Sequence, residues 1–199
     1  MNIEYEATFI PIDKDKMRQK LKAVGAKLER PEFFQKRSVF ALPKNHDIKN
    51  GWLRVRDEGD KITLSLKSVV AGKIHDQKEI CVIVNDFYET NKLIESLGYK
   101  TKSYQENYRE LWMLDGVEIT IDTWPFLELL IEVEGKSEEG VKSVSEKLGF
   151  NWKNAKFCSA DTLYKEKYGV SEYTINNETP KIVFDMNNPF IEKDSSSSK

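Results

Sequence analysis

The stretch Ile3-Glu4-Tyr5-Glu6-Ala7-Thr8-Phe9 alternates without interruption. As a strand it sends Ile3, Tyr5, Ala7 and Phe9 to one face and Glu4, Glu6 and Thr8 to the other. Carboxylates at i and i+2 on one strand face stand about 6–7 Å apart. In a closed space they repel unless a cation lies between them or near both. On an open sheet the same pattern is a half-buried strand with one solvated face. What separates the two readings is whether later strands repeat the arrangement.

The 199 residues suffice for one domain with a hydrophobic core, or for one domain and a tail. Hydrophobic residues make up 39% and charged residues 32%, a globular but charge-rich composition. A net charge of −2 gives no global attraction to nucleic acid or to an anionic membrane. A charged strand follows Met1 almost at once, so no signal peptide is read, and no apolar run approaches membrane-spanning length. Two cysteines, Cys81 and Cys158, suit a reducing cytoplasm without a disulfide framework. His46 and His75 lie in polar, loop-like stretches and lack zinc-ligand spacing.

Along the chain the same strand design recurs. Asp13 caps a helix with Met17, Leu21 and Val24 on its apolar face, and Gly25 stops it. A strand is predicted over Phe33–Leu42. The next, Gly51–Asp57, carries Trp52, Arg54 and Arg56 on one face and Leu53 and Val55 on the other. After the Glu58-Gly59-Asp60 turn, Lys61–Lys67 alternates Ile62, Leu64 and Leu66 with Lys61, Thr63, Ser65 and Lys67. Ala71–Asp76 is a loop, and Lys78–Val84 is a strand with Glu79 and Cys81 on one face. Asp86 caps a second helix with Leu93, Ile94 and Leu97 inward, ended by Gly98. Tyr104–Leu114 and Val117–Thr123 flank the Asp115-Gly116 hairpin turn, the second strand bearing Glu118, Thr120 and Asp122 on its polar face. Leu127–Glu134 opposes Leu127, Leu129, Ile131 and Val133 to Glu128, Glu132 and Glu134. Ser137 caps a third helix with Val141, Val144 and Leu148, and a short fourth helix, Ala160–Tyr168, ends at Gly169. The domain is therefore read over residues 1–170. Residues 171–199 are polar, with low complexity at Ser195–Ser198, and are predicted to be a mobile tail that catalysis does not need, apart from a strand pattern at Ile182–Phe184.

A shift of 73 places Glu6 on Glu79, Asp13 on Asp86, Leu21 on Ile94, Gly25 on Gly98 and Lys36 on Arg109. Strand, capped helix, glycine stop and strand thus occur twice, as in a domain with two-fold pseudo-symmetry.

About seven strands share an apolar face and a charged face. A single open sheet would put the charges in water. Helices, however, need apolar faces to pack on. If they cover the outside, the charged faces look inward and a sheet closed on itself encloses a polar tunnel. Its lining would hold Glu4, Glu6, Glu79, Asp122, Glu132 and Glu134, with Arg54, Arg56, Lys67 and Arg109, and Lys36 or Lys61. Buried charge is tolerated when paired or occupied by a ligand. Carboxylates with arginines and lysines suit a polyphosphate and Mg²⁺: hard oxygens hold the metal and guanidinium forks hold phosphate oxygens.

These residues, in this order, resemble the CYTH superfamily of triphosphate tunnel metalloenzymes, which includes class IV adenylyl cyclases and thiamine- or inorganic-triphosphatases. The resemblance covers about Met1–Gly169. It rests on Glu4-x-Glu6, on Arg54-x-Arg56 in WLRVR, and on Lys67 in TLSLK. It also rests on Glu79 in KEICV, Arg109 in YRELW, Asp122 in TIDTWP, and Glu132/Glu134 in IEVEG. It implies an α+β fold, a closed antiparallel barrel of about eight strands with helices packed outside. It implies Glu4, Glu6, Glu132 and Glu134 as ligands of Mg²⁺ or Mn²⁺, with Arg54, Arg56, Lys67, Arg109 and Glu79 at the substrate and Glu4, Glu6 and Asp122 in the chemistry. Two positions depart from the family pattern. Thr8 stands where a lysine usually completes the first-strand motif, and Asn107 where many members carry a basic residue. The basic lining is thinner for it.

The implied enzyme cleaves a small-molecule triphosphate, as a cytoplasmic monomer or homodimer. Water as nucleophile gives hydrolysis; the substrate's own 3′-hydroxyl gives cyclic AMP and pyrophosphate. Trp52, Trp124 and Tyr104 are candidates to stack a base. A module that binds polyphosphate or nucleotide without catalysis is the reading from a different class. No GxxxxGK[ST], GxGxxG, Ser-His-Asp or Cys-His arrangement is present, which argues against P-loop, dinucleotide and nucleophilic-triad chemistry.

Overall fold

The computed structural model describes residues 1–69 and 72–191. The low-complexity stretch Ser195–Ser198, and Ala71 at the start of the predicted loop, lie outside these residues. Among the described residues the chain forms nine strands and four α-helices. In order they are β1 (Asn2–Phe9), α1 (Lys14–Ala23), β2 (Lys27–Ala41), β3 (Gly51–Asp57), β4 (Ile62–Val69), β5 (Gln77–Val84) and α2 (Phe87–Ser96). Then follow β6 (Lys100–Leu114), β7 (Val117–Thr123), β8 (Leu130–Gly135), α3 (Glu138–Lys147), α4 (Ala160–Tyr168) and β9 (Lys181–Ile182).

Strands β1 to β8 run antiparallel in the order β2-β3-β4-β5-β1-β8-β7-β6, and β2 pairs back onto β6 to close the barrel. Exchanging β1 with β5, β2 with β6, β3 with β7 and β4 with β8 reproduces this order in reverse. The repeat read from the sequence is therefore the pseudo-two-fold of the barrel. Its local devices match too. Asp13 and Asp86 accept from the backbone N–H groups of Lys16 and Glu89, and Gly25 and Gly98 follow the helices at φ +83° and +89°. Between β6 and β7, Asp115 and Gly116 both take positive φ, as a two-residue type I′ turn requires.

The apolar strand faces point outward, and helices cover most of them. Helix α3 buries Val141, Val144 and Leu148, and α1 buries Met17 and Leu21. Both pack over Ala7, Phe9, Ile119, Ile121, Ile131 and Val133 of β1, β7 and β8 in the main core. A second core forms where Phe87 and Ile94 of α2 meet Phe40 and Val55. Here the expected helix face is corrected. Leu93 and Leu97 are 62% and 68% exposed, because the α2 residues that meet β3 are spaced by seven, at Phe87 and Ile94. The helical cover is also incomplete. Ile80 and Val82 of β5 are exposed, and β5 pairs with β1 only through Gln77–Glu79.

Strand β2 starts at Lys27 rather than Phe33. Two register shifts, between Leu28 and Arg30 and between Arg30 and Phe33, let this irregular, polar segment follow β6.

Residues 170–191 depart from the expected mobile tail. Ile175, in a π-helical turn over Thr174–Glu178, Ile182 of β9 and Phe190 are buried in a cluster with Tyr164. Strand β9 lies parallel to β6, opposite Tyr104 and Gln105. The three apolar anchors have no helical or strand period, so the segment reads as polar although each anchor finds a pocket.

Candidate functional site

The inward strand faces enclose a cavity of about 550 Å³, within the range of small-molecule sites. Glu4, Glu6, Arg54, Arg56, Lys67, Glu79, Arg109, Glu132 and Glu134 all line it. The β1–β8 register sets Glu6 opposite Glu134 and Thr8 opposite Glu132. Strands β3, β4 and β5 lie side by side, β5 next to β1, with Lys67 in register with both Trp52 and Glu79.

Charges inside are paired in chains. Lys67 Nζ sits 2.8 Å from Glu4 and 3.5 Å from Glu79, and Glu79 also accepts from Arg54 at 3.1 Å. Arg56 reaches Glu58 at 2.6 Å. Arg109 donates to both carboxylate oxygens of Asp122, at 2.8 and 2.6 Å, and to Glu132 at 2.6 Å. Glu6 accepts from Gln77 Nε2 at 3.1 Å.

Asp122 differs from the expected lining position. It is fully buried behind Arg109 and also accepts from Asn107 and Thr120. Its geometry is that of a residue that orients a guanidinium.

The pairing leaves a surplus of carboxylate at one wall. Burial and the neighbouring Glu6 push Glu132 up to about 8 and Glu134 up to about 7, from an ordinary 4.5. Burial and the shared hydrogen bond with Glu79 push Glu4 up to about 8. Burial also raises Glu79, but the hydrogen bond from Glu4, with Lys67 and Arg54, overrides it and holds that carboxylate low. Burial would lower Arg109, yet Asp122 and Glu132 hold it charged well above its ordinary range.

Several buried polar atoms in the barrel have no hydrogen-bond partner: Nε of Arg37, Arg54 and Arg56, the hydroxyls of Thr63 and Ser65, and Nε1 of Trp124. Donors left open in a buried, polar space fit an anion. Among the described residues, no three His, Cys, Asp or Glu side chains stand close enough to hold a metal as placed, since Glu4 and Glu132 turn toward Lys67 and Arg109.

Some lining residues differ from the expectation. Lys61 lines the cavity, whereas Lys36 lies outside, 5.0 and 4.9 Å over the rings of Phe87 and Tyr88. Trp52 and Trp124 line the cavity, whereas Tyr104 packs against the second core. Arg37, Lys102 and Gln105 line it unforeseen. Parity finds Arg37 only once Lys36 is known to face outward: Gln35 and Arg37 then face inward. Lys102 had no such signal, because it falls in the register shift between Val39 and Phe40. The segment beyond Gly169 supplies part of the wall through Glu172, Ile175, Asn176 and Ile182.

The CYTH domain model matches residues 2–162, and the chain belongs to the CYTH family. A Methanocaldococcus jannaschii protein named "Putative adenylate cyclase MJ0240" is 25% identical over 146 residues, covering 73% of this chain and 81% of that protein. The fold is shared with a conserved hypothetical protein of Pyrococcus furiosus, at a TM-score of 0.68 and 19% identity over 80% of this chain and 99% of the other. It is also shared with HpAC1 of Hippeastrum, described as having a dominant triphosphatase activity. There the TM-score is 0.54 and the identity 15%, over 86% of this chain and 97% of the other.

Proposed function

We propose that this chain is a Mg²⁺- or Mn²⁺-dependent enzyme that cleaves a small-molecule triphosphate inside its barrel. The observation that carries the reading is the charge pattern of the cavity: the cations Arg54, Arg56, Lys67 and Arg109 line it together with the carboxylates Glu4, Glu6, Glu79, Glu132 and Glu134. A site for anions alone gains nothing from inward carboxylates. A site for a cation alone gains nothing from the guanidinium groups.

The donor set fits a hard divalent cation. Glu132 and Glu134 are desolvated oxygen donors crowded by Glu6, a repulsion that a cation would relieve, and Glu4 would join them on turning from Lys67. A bound cation would supply charge neutralisation and Lewis-acid polarisation of a phosphoryl oxygen. The chain's own residues do the rest. Arg54, Arg56, Lys67 and Arg109 bind and align the phosphates. Asp122 holds Arg109 in its fork orientation. Glu79 holds Lys67 and Arg54 in place while the site is empty of substrate.

Hydrolysis is the first reading, with nucleoside, thiamine and inorganic triphosphate as the substrate classes. Cyclisation of ATP is the second. It is favoured by the indole of Trp52 in the lining, as a surface for a base. The deciding experiment is incubation with ATP, thiamine triphosphate and inorganic triphosphate under Mg²⁺ and Mn²⁺, with cyclic AMP, pyrophosphate and phosphate resolved. Phosphate from any of the three supports hydrolysis, cyclic AMP with pyrophosphate supports cyclisation, and binding without product reduces the protein to a polyphosphate-binding module.

A further inference from the structure

We propose that Arg37 is a substrate ligand in the barrel, holding a phosphate oxygen of the triphosphate chain; this rests on the reading of the cavity as a polyphosphate site. The pseudo-two-fold makes the case. On the closing strands the repeat aligns at a shift of 72 rather than the 73 that aligns the first strand and helix: Gln35-Lys36-Arg37 of β2 then falls on Asn107-Tyr108-Arg109 of β6, so Arg37, and not the outward-facing Lys36, is the counterpart of Arg109. Their cross-strand neighbours differ in sign. Arg109 stands in register with Asp122, and Arg37 stands in register with Arg56. Arg109 is thus neutralised by a buried carboxylate, whereas Arg37 faces a second cation.

The other cations of the phosphate wall are all paired: Arg54 with Glu79, Arg56 with Glu58, Lys67 with Glu4 and Glu79, and Arg109 with Asp122 and Glu132. Arg37 is 5% exposed and among the described residues makes no ion pair. It donates to the neutral oxygens of Gln35, at 3.0 Å, and Asn107. Its Nε has no partner. The indole of Trp124 covers one face of the guanidinium at 4.5 Å, fixing its plane. Burial without a counterion, beside Arg54, Arg56 and Arg109, lowers its pKa well below the ordinary value.

A buried cation among cations is unfavourable in the empty protein and favourable once an anion arrives. The geometry therefore assigns to Arg37 part of the positive charge that the family pattern places at positions 8 and 107. Here Asn107 accepts from Arg37 and donates its own amide N–H to Asp122 at 2.9 Å.

The test compares wild type with Arg37→Gln and Arg37→Lys. Inorganic tripolyphosphate is titrated by calorimetry, in chelator and again with Mg²⁺, and melting is followed without ligand. Loss of one charge-assisted phosphate contact is expected to weaken tripolyphosphate binding by roughly 10–100-fold in Arg37→Gln. Arg37→Lys should recover part of it, and the ligand-free melting temperature should be unchanged or raised. A purely structural arginine gives the opposite pattern, a lower melting temperature with affinity retained, and that result overturns the assignment. Wild-type binding with both variants unaffected overturns Arg37 alone. Absence of binding in the wild type overturns Arg37 together with the polyphosphate reading.

Discussion

Glu132 and Glu134 make the inner wall of β8 sensitive to pH. Both hold their protons to higher pH in the folded protein, to about 8 and about 7, than the ordinary 4.5 of an unfolded chain. Between about 4.5 and 8 the folded state therefore binds more protons than the unfolded one, so stability falls as pH rises. The metal-free protein should melt higher at pH 5 than at pH 8, by about 2–4 °C for each kcal/mol involved. Scanning calorimetry in chelator checks this, and divalent cation should reduce the difference at pH 8. At Glu6 the same repulsion acts from the other strand. Glu6→Gln keeps the shape and can still bond Gln77, so the metal-free protein should be as stable as wild type or more so. Turnover should drop by about 10–100-fold, the usual scale for disturbing a metal's surroundings. Melting and steady-state kinetics on the one variant separate the two effects. An unchanged turnover would remove Glu6 from the site.

At the level of elements, strand faces and helix caps were legible because their periods are strict. Ile3–Phe9 alternates, and its register against β8 follows from that alternation. Asp13 and Asp86 sit where orphan N–H groups need acceptors. Three features were not legible, each for a physical reason. Arg37 was hidden because Phe33–Leu42 mixes apolar and charged side chains on both faces. The role of Asp122 was hidden because alternation gives a face and not a depth: it points inward but stops behind Arg109. The packing of residues 171–191 was hidden because Ile175, Ile182 and Phe190 are isolated anchors. Truncation after Gly169 should therefore destabilise the protein, by at most roughly 5–9 kcal/mol for three buried apolar side chains. It also removes the cavity wall at Glu172 and Asn176. Urea unfolding of the truncated chain against the full chain reads this directly, and an equal midpoint would show that the segment is dispensable.

For the whole molecule, the closed sheet turns two requirements into one. A barrel with helices outside must put its charged faces inward, and charged faces can stay inward only if their charges are paired or filled. The pseudo-two-fold supplies both strand–helix–strand halves, and divergence between the halves supplies the site: acid-rich β1 and β8 on one side, basic β3 and β4 on the other. No helix among the described residues is long and apolar enough to cross a membrane. Under the proposed function this cavity takes a triphosphate and a divalent cation together. Thermal melting in the presence of Mn²⁺ alone, inorganic triphosphate alone and both together tests it most directly. A ligand that binds only the folded state stabilises it by about 2.7 kcal/mol at a hundredfold excess over its dissociation constant. A rise with Mn²⁺, a rise with triphosphate, and a larger rise with both than the two separate shifts combined are expected. No shift at millimolar concentrations of both would contradict it.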